Sequence, residues 1–419
     1  MRNFTRRLLW LFVFTVPWDV VILPGLGAPS RLVGLGTLGA AILTTAMAGR
    51  FRKPGMIFGF ASTFIAFAAL SLLWTIAFPI TFQLVWTSIQ ILGSVWVVRE
   101  FARTRDEQQS LLVAFCLGEF VPLAGLLNSF NVGVTINRFS DRYSAMGFNA
   151  DDLGMTLVIG VPIAWHLMMT YDGVLRRTVR AAALVYFAVA PFAILLTGTR
   201  GAVLATVVAL SIVPLTLPQR SLRSFLVMAT ILVVVAGTTV LVIPQRTWLR
   251  VVSIKSEVLE GGSMTGRADI WAAGLRVFPE RPLVGAGLGT FGDAVEPLLN
   301  KRSGAHNLPL GMLVELGVVG FSLYAALLAA CGVTIFRMPP SERKLWAVLM
   351  LSWMIGVMSL NWETRKVTWL LFAMVAAHGA SETASRRRPR SLERLTETPV
   401  KRQSLRTVYS PSLDQGAIR

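Results

Sequence analysis

The sequence predicts an all-α, polytopic membrane protein with about twelve transmembrane helices. Of its 419 residues, 54% are hydrophobic and only 15% are charged, whereas a soluble chain of this length needs more charge to cover its surface. The hydrophobic residues are gathered in uncharged runs, several of which reach the roughly 17–25 residues that a helix needs to span a bilayer. These runs are rich in Gly, Ala and Pro and too long for the strands of a soluble protein, so we interpret them as helical spans.

The twelve predicted spans follow the apolar runs along the chain. They cover residues 8–23, 32–48, 55–78, 80–98, 110–127, 153–171, 181–199, 201–217, 224–243, 308–336, 345–360 and 367–380. The first run has no small-residue cleavage site, so we expect a retained span and not a removed signal peptide. We assign residues 1–380 to one transmembrane domain. Residues 381–419, rich in Arg, Ser and Pro, are expected to form a disordered, basic cytoplasmic tail.

Basic residues orient these spans, because Lys and Arg close to a span resist translocation. With the N-terminus inside, the short basic clusters fall on alternate connections, which predicts that both termini are cytoplasmic. Topology therefore explains the net charge of +18, and we expect membrane lipids, and no nucleic acid, as partners. Two outer segments are long, 128–152 and 244–307. The second should pack as a structured extracytoplasmic loop, and loops of this size usually carry function.

Arg200 lies in a short outer turn between two predicted spans, against the orientation rule. One interpretation is an arginine whose guanidinium reaches the interface from within the bilayer. The other is a fixed cation that faces an anion at headgroup depth, such as a lipid phosphate. Gly198 and Gly201 flank Arg200 and permit close approach of backbone and ligand, which favours the second interpretation.

Arg267 precedes a segment in which apolar residues recur on one helical face. We expect an amphipathic helix to begin near Arg267, with Thr265 as a candidate N-cap. A helix N-terminus that carries an arginine suits a phosphate, because free amides, helix dipole and guanidinium act together. The spacing is equally compatible with a solvated arginine in the first turn.

His306 precedes the longest apolar run and therefore lies at the outer end of a span. His166 and His378 lie near the cytoplasmic ends of their spans, and we expect both to be packed or interfacial. Among the three histidines, only His306 shares a membrane face with Arg200 and Arg267. An imidazole at this position could act as a general base on an acceptor hydroxyl.

Other polar residues have structural interpretations. The glycine run 285–289 predicts a turn after a proline, although it could also line a phosphate. Glu315 is nine residues beyond His306, about 180° around a helix, so we expect it to make a packing hydrogen bond. Asp19 is expected to be a satisfied polar group. The two cysteines lie in apolar runs, and the outer side has no cluster of metal-ligand residues, so we expect neither a disulfide framework, a metal nor another cofactor.

Several short motifs occur in a fixed order between residues 138 and 325. They are Asp141-Arg142, Gly147-Phe148-Asn149-Ala150-Asp151-Asp152, Leu196-Thr197-Gly198-Thr199-Arg200-Gly201-Ala202, Gly266-Arg267 with Asp269-Ile270-Trp271, the run 282–291, and His306-Asn307 with Glu315-Leu316-Gly317 and Gly320. In this order they resemble the O-antigen ligase and polymerase superfamily of bacterial membrane glycosyltransferases. Thr199 stands where a serine is common in that family, which keeps the hydroxyl.

The resemblance implies a function and a set of site residues. It implies a metal-independent, inverting glycosyltransferase in the inner membrane, with its active site on the extracytoplasmic face and an undecaprenyl-diphosphate-linked glycan as donor. By this analogy Arg200 and Arg267 bind the diphosphate, and His306 activates the hydroxyl of a glycan or lipid-core acceptor. Arg142 and Arg276 are secondary candidates for contacts with glycan or phosphate.

Two alternatives stay open at this point. A ligase that attaches a polymer to a lipid core and a polymerase that extends a repeat share these motifs. A secondary transporter or lipid flippase without covalent chemistry would also be polytopic, although it predicts a central polar path and the spans contain few acidic residues. A purely structural scaffold does not account for the outer arginines.

Overall fold

The computed structural model describes residues 1–25, 27–49, 51–137, 140–217 and 266–386, together with the isolated positions 237 and 245. The described chain is mostly helical, as predicted. Contacts divide it into two units, Met1–Ser381 and Glu382–Arg419, and the features discussed below belong to the first. The predicted span 224–243, much of the predicted loop 244–307 and the tail from residue 387 onward lie outside the described residues.

The helices are numbered in chain order. The first ten are α1 Arg2–Thr15, α2 Pro29–Ala48, α3 Met56–Leu70, α4 Phe78–Phe101, α5 Arg105–Gly118, α6 Phe120–Val132, α7 Ala150–Thr170, α8 Arg176–Leu196, α9 Arg200–Leu210 and α10 Ile212–Thr216. After residue 266 follow α11 Arg267–Val277, α12 Phe291–Leu299, α13 Leu308–Phe336, α14 Pro340–Val357 and α15 Lys366–Arg386. Every predicted span other than 224–243 therefore coincides with one or two described helices.

Seven helical segments of the described chain are long and apolar enough to cross a membrane. They are Pro29–Ala48, Met56–Leu73, Phe78–Phe101, Arg105–Val132, Ala150–Thr170, Arg176–Leu196 and Leu308–Phe336. Two shorter apolar helical segments, Arg200–Thr216 and Lys366–Gly379, coincide with further predicted spans. The chain is thus polytopic by helix length and composition, and the count of twelve spans stays a prediction.

A small β-hairpin departs from the predicted all-α class. The strands β1 Thr135–Asn137 and β2 Ser140–Tyr143 pair antiparallel within the predicted outer segment 128–152. Helix α6 ends at Gly133, which has a left-handed φ of 75°, and the β-branched residues that follow favour an extended chain. The hairpin returns the chain toward the start of α7.

Helix α7 forms the buried centre of the fold. Most of its side chains are buried, including Leu153, Val158 and Trp165, and it packs against α8, α9 and α14. A helix that is apolar on all sides gains stability from burial in every direction. Its first turn, Ala150 to Asp152, is therefore held on a rigid element.

Helix α13 is broken at Gly317, where the backbone φ is 64°. The loop before α12 pairs with the break: the amides of Val318 and Val319 donate to the carbonyls of Pro282 (2.8 Å) and Leu283 (3.1 Å). The Glu315 carboxylate accepts hydrogen bonds from backbone amides of this loop. Since an interrupted helix leaves polar backbone groups that lipid cannot satisfy, the loop completes the span. Glu315 therefore makes packing hydrogen bonds, as the sequence predicted, and its partners are backbone amides of this loop.

Several predicted cytoplasmic clusters meet at one end of the bundle. Arg6 pairs with Glu107, and Arg105 Nε lies 3.4 Å from Glu342 Oε1. Arg52 Nη1 donates to the carbonyl of Arg99 at 2.9 Å. These contacts join α1, the segment 51–53, the α4–α5 connection and the start of α14, all of which the charge pattern assigns to the same side.

Candidate functional site

Five helices begin around one polar cluster, which we define as Arg142, Asp151, Asp152, Thr199, Arg267, His306 and Arg365. Asp151 and Asp152 lie in the first turn of α7, Thr199 is the N-cap of α9, and Arg267 is the first residue of α11. His306 and Arg365 directly precede the N-cap of α13 and the first residue of α15. Because a helix N-terminus carries partial positive charge and free amides, this arrangement favours an anionic ligand.

Asp151, in the first turn of α7, links three other segments of the chain. Its Oδ1 lies 2.5 Å from Arg142 Nη2, and its Oδ2 lies 3.3 Å from Arg267 Nη2. Thr199 Oγ1 donates to Asp151 Oδ1 at 3.0 Å. The Asn149 side chain caps α7 by accepting a hydrogen bond from the Asp151 amide at 3.0 Å. One carboxylate therefore joins the β-hairpin, α7, the start of α9 and the start of α11.

Arg142 is largely committed to protein contacts. Its Nε donates to the carbonyl of Thr197 at 3.0 Å, and its Nη2 also lies 3.2 Å from Thr199 Oγ1. With the ion pair to Asp151, these bonds brace the turn that leads into α9. Arg142 was a secondary candidate for substrate contact, and the geometry places it at the centre of the cluster as a brace.

Arg200 directly follows the N-cap Thr199 and is half-buried. Gly198 before it adopts a left-handed φ of 60°, which turns the chain sharply between α8 and α9. Gly201 after it lies so close to Ser359 that a Cβ would collide with the serine hydroxyl. The two flanking glycines thus bring the start of α9 against the α14–α15 connection.

Arg267 begins α11, as the sequence predicted, but the N-cap differs. The cap is Gly266, which has a left-handed φ of 80° and makes no side-chain capping bond, so the candidate cap Thr265 is wrong. Among the described residues, the Nε and Nη1 groups of Arg267 have no hydrogen-bond partner. Trp271, one turn further along α11, donates from Nε1 to the carbonyl of Ala305 at 2.9 Å and thereby ties Arg267 to the His306 segment.

His306 lies on this tied segment in a left-handed backbone conformation, with φ 45°. Strain of this kind in a non-glycine residue costs of order 1–3 kcal/mol and is concentrated at functional sites. The next residue, Asn307, caps α13 by accepting from the Leu310 amide at 3.0 Å and donates to the carbonyl of Met358. The imidazole itself has no hydrogen-bond partner among the described residues.

Electrostatics connect His306 to the rest of the cluster. Burial lowers the pKa of the His306 imidazole below its usual 6.5, and the charge of Arg267 lowers that pKa further. Asp151 and Asp152 act in the opposite direction, and the net direction is down. The imidazole is therefore mainly neutral at neutral pH, the state in which a ring nitrogen accepts a proton.

Asp152 contacts a second group of residues, which the sequence had not led us to assign to the site. It accepts a hydrogen bond from Trp362 Nε1 at 2.7 Å and pairs with Arg365. Arg365 and Lys366 each lie 3.8 Å from a carboxylate oxygen of Asp19. Asp19 is thus a satisfied polar group, as expected, and it connects the α1–α2 connection to the cluster. The signal that could have found Arg365 and Lys366 was that the predicted topology places both basic residues outside, against the charge rule.

The structure brings together most of the predicted site residues and leaves one apart. Arg142, Arg267 and His306 share the cluster, and Arg200 adjoins it through Thr199. Arg276 is exposed in the last turn of α11, nine residues and roughly 13 Å along the helix axis from Arg267. Its predicted secondary role therefore has no geometric support.

Among the described residues, the polar cluster and the two residues paired with it, Asp19 and Lys366, carry more basic than acidic side chains. Arg142, Arg267, Arg365 and Lys366 share the three carboxylates of Asp19, Asp151 and Asp152 through the ion pairs above. No group of three or more His, Cys, Asp or Glu side chains able to hold a metal occurs among the described residues. A partly buried surplus of arginines beside a neutral imidazole can bind a phosphate-containing anion and accept a proton next to it.

Comparison with known proteins adds a family to this geometry. No curated protein matches the chain. The family model described as O-antigen ligase matches residues 182–325, a segment of about a third of the chain that contains Arg200, Arg267 and His306. Asp151, Asp152 and Arg365 lie outside the match. The match agrees with the resemblance that the motifs indicated: residues 182–325 are similar to the O-antigen ligase family.

Proposed function

We propose that the protein transfers a glycan from an undecaprenyl-diphosphate carrier to an acceptor hydroxyl at the extracytoplasmic face of the inner membrane. The observation that carries the proposal is the convergence of Arg267, His306 and the start of α9 with Arg200 on one polar cluster within the O-antigen ligase segment. The similarity of residues 182–325 to the O-antigen ligase family supports glycan transfer in general, and the cluster supplies the groups that this chemistry requires.

Arg200 and Arg267 are proposed to bind the donor diphosphate. Each is the first residue of a helix, and the described residues provide no side-chain cap for α9 or α11, so the partial positive charge of each helix N-terminus accompanies the guanidinium. A leaving diphosphate gains negative charge as its bond to the sugar breaks, and fixed cations are most effective where charge develops. Two guanidiniums supply this charge themselves, which supports the proposal that the transfer is metal-independent.

His306 is proposed to act as the general base. The acceptor oxygen attacks the anomeric carbon while the neutral imidazole takes the hydroxyl proton. A new carbon–oxygen bond forms to the acceptor, and the bond between the anomeric carbon and the diphosphate oxygen breaks. The diphosphate leaves with the bonding electron pair, and attack from the opposite face inverts the anomeric centre.

The proposed sidedness rests on segregation of charge within the bundle. The predicted cytoplasmic clusters that include Arg6, Arg52 and Arg105 meet at one end of the bundle. The polar cluster is formed by other connections, those that the charge pattern assigns to the outside. A lipid-linked donor in the outer leaflet would present its diphosphate at this depth, and a glycan or lipid-core acceptor would approach from the aqueous side.

The proposal is tested with purified protein and a polyprenyl-diphosphate-linked glycan. We expect Arg200→Ala, Arg267→Ala and His306→Ala each to reduce transfer by about 10²–10³-fold, as loss of one group that stabilises the leaving group or moves the proton does. Arg177→Ala, which removes an exposed arginine at the start of α8, is the matched control. If all three site variants transfer glycan at the wild-type rate, the site assignment is wrong.

Product analysis separates the remaining alternatives. A lipid-core conjugate identifies a ligase, and a longer lipid-linked polymer identifies a polymerase. Movement of intact donor across a vesicle membrane without a new glycosidic bond would instead identify a flippase and refute the proposed chemistry.

A further inference from the structure

We propose that Asp151 is a positioning residue that holds Arg267 and the Arg200 turn in register for the donor diphosphate. The inference rests on the proposed function and goes beyond it, because Asp151 lies outside the matched O-antigen ligase segment. The Asp151 carboxylate bonds to separate parts of the chain.

The two carboxylate oxygens of Asp151 pair with different arginines. One oxygen serves Arg142 at 2.5 Å and the other serves Arg267 at 3.3 Å. These arginines are 125 residues apart, and Arg267 begins a helix whose N-cap makes no side-chain bond. The Asp151 carboxylate is therefore the described contact that fixes the direction of the Arg267 guanidinium.

Asp151 is also linked to Arg200, through the neighbouring residue Thr199. Thr199, the residue before it, donates to Asp151 at 3.0 Å, and Arg142 braces the carbonyl of Thr197 from the other side. Asp151 thus sets the position of the turn that presents Arg200. Its own position is fixed by the Asn149 cap and by the buried helix α7.

Asp151 leaves other hydrogen-bond donors of the Arg267 guanidinium available to a ligand. It occupies only the Nη2 group of Arg267, and within the described chain the remaining guanidinium groups of Arg267 have no hydrogen-bond partner. A bound diphosphate could therefore contact Arg267 without displacing Asp151. A carboxylate that competed with the substrate for every donor would inhibit binding, whereas this arrangement orients the guanidinium.

The test compares Asp151→Asn with wild type in the purified full-length protein, with Asp172→Asn as the matched control. Asp172 is exposed and pairs only with Arg176 among the described residues. Asn keeps the size of the side chain but removes the negative charge. We expect kcat to fall by about 10²-fold, the scale of a misplacement near 1 Å, while KM for the anionic donor stays within about twofold or decreases.

A pH profile provides a second readout that a merely structural role would not move. Because Asp151 raises the pKa of His306, its neutralisation should shift the acid limb of the kcat profile of Asp151→Asn toward lower pH. Asp172→Asn should leave that limb in place. Thermal unfolding of each variant in detergent verifies that the protein folds.

Each outcome decides the inference. A raised KM with unchanged kcat would show that Asp151 contacts the substrate and would overturn the positioning role. Unchanged kcat, KM and pH profile, with Arg267→Ala inactive, would refute the inference and leave the proposed function standing. If wild type itself transfers no glycan, the proposed function fails. In that case, binding of inorganic pyrophosphate that both Arg267→Ala and Asp151→Asn abolish would show that Asp151 itself contributes to binding, and would overturn the positioning role separately.

Discussion

Removing the Asp152 carboxylate should destabilise the protein, because the buried indole of Trp362 loses its hydrogen-bond acceptor. In Asp152→Ala, Trp362 loses the 2.7 Å partner of its Nε1 group. Trp362 is only 1% exposed, so the orphaned donor costs about 1–3 kcal/mol. The ion pair to Arg365 adds at most about 1 kcal/mol, because the Arg365 side chain is 30% exposed and solvent screens the pair.

The expected loss in the free energy of unfolding is therefore about 1–4 kcal/mol for Asp152→Ala. Asp152→Asn is the matched control, because the amide oxygen can still accept from Trp362 and only the ion pair is lost, at a cost below about 1 kcal/mol. Unfolding in mixed detergent micelles, followed by tryptophan fluorescence, measures both variants. Equal stability of Asp152→Ala and wild type would refute the account of this network.

Three further predictions concern the site itself. Thr199→Ser should keep wild-type transfer because it keeps the hydroxyl that donates to the Asp151 carboxylate. Thr199→Ala should lower kcat by at least roughly tenfold, because a hydrogen bond to a charged group contributes about 1.5 kcal/mol or more; equal rates for the two variants would count against the link. Protonation inactivates His306 as a base, so transfer should fall as the pH drops through the His306 pKa, which lies below 6.5. Arg267→Gln should move this acid limb of the profile to higher pH, because the charge of Arg267 lowers the His306 pKa. A pH profile of the residual activity of Arg267→Gln that shows no shift would contradict the coupling. Arg276→Gln should change transfer by less than twofold, because Arg276 is exposed at the far end of α11, and a loss like that of Arg267→Gln would show that its position has been misjudged.

The helices could be predicted from the sequence because burial in lipid imposes a long apolar run on each span. The runs at 153–171 and 308–336 correspond closely to α7 and α13. The β-hairpin after α6 was missed, since its strands are short and lie in a polar connection. The break at Gly317 was missed because hydropathy is insensitive to a backbone turn inside an apolar run.

Part of the site could also be predicted from the sequence. Arg200 and Arg267 stand out because cations in segments predicted to lie outside oppose the charge rule, and His306 shares their predicted face. The carboxylates were not assigned, because Asp151 and Asp152 find their partners 116 and 213 residues away. Only the tertiary packing of α7 against later helices brings those partners together.

The central claim is tested most directly by a cryo-electron microscopy structure of the protein with a non-hydrolysable polyprenyl-diphosphate glycan analogue. We predict that the diphosphate binds between Arg200 and Arg267, with the anomeric carbon facing the His306 imidazole across a space for the acceptor hydroxyl. A diphosphate bound away from both arginines, or an anomeric carbon that His306 cannot reach through an acceptor, would contradict the account.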